Sequence, residues 1–113
     1  MSGAWTARLL LAQRATAFVL AFAVAIHLAT IIYAVRAGLN AGEILGRTRG
    51  NALFLAFYSV FVVAASIHAP IGLRNIFREW ANWRGRSLDL AMLALALLLL
   101  ALGLRAALAV YAA

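Results

Sequence analysis

The chain has 113 residues, 67% of them apolar and 12% charged, and its mean hydropathy of +1.00 excludes an ordinary soluble domain and points to a membrane protein. Ten arginines and no lysine stand against three acids, for a formal charge of +7. The arginines cluster in the gaps between oily runs, as membrane orientation signals do, whereas a nucleic-acid surface spreads basic residues along one polar face. There is no cysteine, so disulfides, zinc thiolates and cysteine-held iron–sulfur clusters are excluded from this chain. Any redox centre must be held by histidine or brought by a partner.

The segment 1–10 carries Trp5 and Arg8, an aromatic and a cation of the kind that sit at the water interface. The first oily run, residues 11–35, is long enough to cross roughly 30 Å of hydrocarbon with some tilt. Ala23-Val24-Ala25 mimics a signal-peptide cleavage site, but apolar residues continue past it as in a spanning helix. Residues 36–51 are rich in Gly, Asn and Arg and read as an exit loop, with a short surface helix over 41–45 begun by Asn40. The second span covers 52–74 and contains Pro70, which removes a backbone donor and is expected to bend the helix just past His68. Residues 75–89 hold Arg78, Glu79, Trp80, Trp83, Arg84 and Arg86 and read as a wet, interfacial loop. The third span, 88–112, is almost pure Leu and Ala apart from Gly103 and Arg105, and Arg105 can snorkel outward.

The expected architecture is therefore an all-α membrane protein in one domain, with three transmembrane helices running up, down and up. Arg8, Arg14, Arg74, Arg78, Arg84 and Arg86 fall on one side, against Arg36, Arg47 and Arg49 on the other. The excess places the N-terminus in the cytoplasm.

Two ionisable residues lie deep inside the spans, where such residues are rare and usually functional. His68 and Gly72 are four apart on one helix face, and the glycine leaves a gap that a flat ligand or a second backbone could approach. Arg74 follows at the membrane edge. An imidazole, a cleared surface and a guanidinium suit a haem with two propionates. His27 lies sixteen residues past the inner start of the first span, and His68 sixteen past the outer start of the second. The two therefore sit at different depths, offset by roughly 12 Å, and should not ligate one iron together. The alternative for each is a core histidine satisfied by a neighbouring carbonyl or hydroxyl, with Ser59, Ser66 and Thr30 nearby.

Gln13-Arg14-Ala15-Thr16-Ala17 at the head of the first span, followed by His68-x-x-x-Gly72-Leu73-Arg74 in the second, resembles the cytochrome b membrane anchors of succinate dehydrogenases and fumarate reductases. The resemblance runs from about residue 13 into the third span. It implies that His68 is an axial ligand of haem b, that Arg14 lies by the quinone and haem propionates, and that Arg74 is the motif's own arginine. Glu79-Trp80 falls where one branch of the family has an Asp-Tyr pair at the quinone site; an indole, however, cannot ionise and offers a donor only. Leu10 stands where some members have a serine. His27 fits the two-haem branch, in which each three-helix half carries one ligand on each of its first two spans.

The resemblance further implies a non-catalytic electron-transfer subunit in the bacterial inner membrane. Its cofactors would be haem b, one or two per anchor pair, and quinone. Its partners would be an iron–sulfur subunit, a flavoprotein subunit and a second three-helix anchor chain. The competing classes are a small transporter, disfavoured by span interiors without carboxylates, and a haem-free assembly or scaffold protein that docks through Trp80, Trp83 and the arginines.

Overall fold

The computed structural model describes residues 3–113, which form four helices: α1 (Gly3–Ala37), α2 (Ala41–Thr48), α3 (Ala52–Trp80) and α4 (Arg86–Ala112). The described residues contain no strand. α1, α3 and α4 are each long and apolar enough to cross a membrane, so the chain is an all-α, multi-pass architecture. Large apolar side chains such as Phe18 and Leu53 lie mostly exposed on the outer faces, where lipid tails, not water, are their natural solvent.

Neighbouring spans are antiparallel. Thr16 of α1 meets His68 of α3, and His27 meets Tyr58, so residue numbers fall along one helix as they rise along the other. Arg74 meets Asp89, and Val62 faces Gly103, which gives the same relation between α3 and α4. α3 is the central helix, packed against both α1 and α4.

On α1 the positions withdrawn from the surface are, apart from Ala12, Leu9, Gln13, Thr16, Leu20, Ala23, His27, Thr30 and Ala34. Their alternating spacing of four and three is the seam of a left-handed helix pair. Apart from Leu9 and Leu20 the seam is built of small and polar residues, because lipid tails are as apolar as leucine, so close approach and hydrogen bonds hold helices together instead. The α3–α4 contact uses the same device at Gly103, where a Cβ would stand 2.5 Å from Val62 Cγ1.

Two features of the connections differ from the sequence expectation. The loop over 75–89 is only 81–85: α3 continues through Trp80, and α4 begins at Arg86. No residue between Asn75 and Trp80 breaks a helix, and the chain turns only where Asn82 and Gly85 adopt positive φ of 52° and 93°. The short helix begun by Asn40 extends to Thr48; Asn40 caps it by accepting from the Glu43 amide at 2.7 Å. Its end is tied to α4, since Thr48 Oγ1 donates to the Val110 carbonyl (3.1 Å) and the Gly50 amide to the Tyr111 carbonyl (2.9 Å). These bonds satisfy carbonyls that the last turn of α4 leaves open. Pro70 is buried inside α3, and the helix runs on for ten residues beyond it.

Candidate functional site

The seam between α1 and α3 carries both histidines, each half-buried and each hydrogen-bonded through Nδ1 to a hydroxyl of the facing helix. Ten residues of α3 separate Tyr58 from His68, and eleven of α1 separate Thr16 from His27. The imidazoles are thus about 15 Å apart along the helix axes. The expected separation in depth holds and is somewhat larger, because the helix pairing, not the ends of the oily runs, sets the register.

The two hydroxyls do different work. Thr16 Oγ1 donates its one hydrogen within its own helix, to the Ala12 carbonyl at 2.8 Å with the Gln13 carbonyl at 3.2 Å. Toward His68 Nδ1, 3.3 Å away, it can therefore only accept, which puts the ring proton on Nδ1 and a lone pair on Nε2. That tautomer is the one a metal-ligating histidine adopts when its other nitrogen is held by a second group. Nε2 of His68 has no hydrogen-bond partner among the described residues.

His27 Nδ1 lies 2.8 Å from the Tyr58 hydroxyl, a length typical of a phenol donating to an imidazole nitrogen. The His27 ring also meets the rings of Tyr58 and Phe61 edge-on, at 5.6 and 5.3 Å between centroids. Phe54 and Phe57 extend this aromatic cluster. Beside it a groove of about 360 Å3 opens between α3 and α4, with Gly103, Ala106 and Ala107 forming its far wall.

The other expected site residues divide into those the fold brings to His68 and those it does not. Gly72 lies one turn from His68, but its gap is occupied: a Cβ there would meet Gln13 Nε2 at 3.3 Å. Gln13 Oε1 is buried without a hydrogen-bond partner. Arg74 is buried, and its Nε donates to Asp89 Oδ1 at 2.8 Å, so its charge clamps α3 to α4. Arg14 stands exposed, one position from Gln13 in the seam. Glu79 and Trp80 are exposed at the end of α3, and Trp80 is 85% accessible. Glu79 lies seven residues past Gly72, about 10 Å further along the axis, so it does not share a level with Arg14. Trp83 is turned inward, with its ring edge-on to Phe77 at 5.4 Å and its Nε1 donating to Ser87 at 2.8 Å.

Against the needs of a haem, the fit is partial. His68 offers an oriented imidazole and Arg14 a cation without an acidic partner among the described residues, whereas Gly72 and Arg74 are engaged in helix packing. Sequence reasoning missed the partners of both histidines, Thr16 and Tyr58, and named Ser59, Ser66 and Thr30 instead. Ser66 and Thr30 donate to carbonyls of their own helices, Val62 and Ile26. The usable signal was the spacing of four and three that runs from Gln13 through Thr16 to His27. No family model matches the chain, and no curated protein or solved structure is significantly similar to it.

Proposed function

We propose that the chain is a haem b-binding membrane anchor of the succinate dehydrogenase and fumarate reductase kind. In this reading it sits in a bacterial inner membrane with its N-terminus in the cytoplasm and relays electrons between flavoprotein and iron–sulfur subunits and membrane quinone. The observation that carries the reading is the state of His68, an imidazole inside a span, fixed at Nδ1 by Thr16 with Nε2 unpartnered.

Haem, when bound, supplies reversible one-electron transfer. The chain's own residues hold it and set its surroundings. His68 presents Nε2, Thr16 fixes the ring plane, and Arg14 offers a guanidinium to a carboxylate or a quinone oxygen. Gln13 rotates off Gly72 to clear the flat surface, a motion open to a flexible side chain whose Oε1 forms no bond in the packed state. His27, at the other depth, serves as a ligand at a second level when a partner three-helix chain supplies the opposing imidazole.

The test is to assemble the complex with His68→Ala and record reduced-minus-oxidised spectra of the membranes. Loss of a b-type haem is expected, and unchanged haem content would refute the assignment. A haem-free scaffold is favoured by one observation, the engagement of Gly72 and Arg74 in helix packing. Visible absorption of the purified protein separates the two readings.

A further inference from the structure

α4 has two faces of different character. Leu88, Met92 and Ala107 are buried, and Gly103 faces Val62 of α3. Arg105 stands two residues from both Gly103 and Ala107, so at about 100° per residue it projects from the side turned away from α3. It is exposed and makes no hydrogen bond or ion pair among the described residues. Ala94, Leu98, Ala101, Arg105, Leu108 and Ala112 share that side, all exposed and spaced alternately four and three. This is the seam of a left-handed helix pair, and its alanines let a second backbone come close. α1 turns the same spacing toward α3, but no described helix covers the seam on α4.

The charge at its centre selects the occupant. Arg105 lies seven residues before Ala112, about 10 Å inside the end of the span. Side chains leave a helix tilted toward its N-terminus, so this one starts out deeper into the apolar run and away from the nearer headgroups. A lipid tail laid along the seam leaves the guanidinium unpaired in hydrocarbon, which is costly. A helix that brings a carboxylate neutralises it through two parallel hydrogen bonds. A second copy of this chain does not supply that group. Its three acids lie on α2 (Glu43), in the last turn of α3 (Glu79) and in the first turn of α4 (Asp89), outside the span interiors. A two-fold axis along the membrane normal would moreover set Arg105 against Arg105.

We propose that the face of α4 turned away from α3 docks a transmembrane helix of a different protein, one that carries an Asp or Glu at the depth of Arg105. The inference rests on the seam and its arginine, and does not depend on haem.

A photo-crosslinking benzoylphenylalanine placed at Leu98, one heptad from Arg105 on the seam, tests this in native membranes. Leu28, exposed on α1, is the control position. Leu98 should give one abundant protein adduct that Leu28 does not, and sequencing of the joined peptide should place it in a span with an internal carboxylate. Arg105→Leu suits lipid better than the wild type and leaves the packed face of α4 untouched. It should lower the adduct yield about tenfold, because the partner's acid is then buried unpaired, whereas Arg105→Lys should retain most of it. Exchanging the charges, with Arg105→Glu in this chain and an arginine in place of the partner's acid, should restore the yield. Adducts with lipid alone, with another copy of this chain or with a span that carries no acid would overturn the proposal. So would the absence of any adduct, or a yield indifferent to Arg105→Leu.

Discussion

At the scale of single residues, the chemistry of the seam depends on which hydroxyl has a hydrogen to give. Thr16 has used its own on the Ala12 carbonyl, so it can hold His68 only as an acceptor. Thr16→Val keeps the shape and removes the acceptor. If His68 ligates haem as proposed, the haem should be bound about tenfold more weakly in this variant, as is usual for loss of a group that orients a metal ligand. Its midpoint potential should rise, because a hydrogen bond from Nδ1–H makes the imidazole a stronger donor to ferric iron. Rescue by Thr16→Ser, with an unchanged potential in that variant, separates orientation from packing. In the haem-free chain, 15N chemical shifts of His68 should report a proton on Nδ1 in the wild type; a proton on Nε2 would contradict the tautomer. Tyr58 is the better donor of the two hydroxyls, and its 2.8 Å contact with His27 is the reason the second histidine can be satisfied without any metal.

Between elements, the α3–α4 contact rests on an absent side chain and on a buried guanidinium paired with an exposed carboxylate. Gly103→Ala sets a Cβ into the space of Val62 Cγ1 and should destabilise the helix pair by about 1–3 kcal/mol, the usual effect of overpacking. Val62→Ala in the same chain should recover most of that loss, since both close contacts under 3 Å are to the methyls it removes. Unfolding in mixed micelles measures both, and additive losses in the double variant would show that the two helices do not meet there. Arg74 and Asp89 close the other end of the same pair. Asp89→Asn leaves a buried guanidinium with a weaker partner; because the Asp89 side chain is 45% exposed, we expect a cost of only about 1–2 kcal/mol.

For the whole molecule, the open arrangement about α3 leaves broad apolar faces toward lipid or a second chain. Two predictions belong to this scale. A cysteine placed at Asn82, in the turn between α3 and α4, should resist labelling from outside intact cells if the arginine distribution sets the orientation; ready labelling would reverse the topology. The second concerns haem number. Because the imidazoles lie about 15 Å apart, they cannot ligate the same iron, so on the proposed reading the chain contributes to two haems or to one. If a paired chain completes both levels, there are two haems per anchor pair and His27→Ala removes one of them. One haem per pair, with spectra unaffected by His27→Ala, would leave His27 as the hydrogen-bonding partner of Tyr58.

Composition and hydropathy determined the number of spans and their alternation, because a segment of about twenty apolar residues has few states open to it in or near a bilayer. The Asn40 cap and the different depths of the two histidines were legible for similarly local reasons: a cap needs only its own first turn, and depth follows from counting along a helix. What the sequence left open was which side chains face one another across the seam. That depends on helix rotation and register, which arise from many weak contacts between small residues such as Ala23 and Gly103, and no single position announces it. Only the tertiary structure assigned Thr16 to His68 and Tyr58 to His27, laid Gln13 over Gly72, and drew Arg74 to Asp89. The last two change the reading of the candidate site, because a gap and a charge that look available along the sequence are filled once the helices pack.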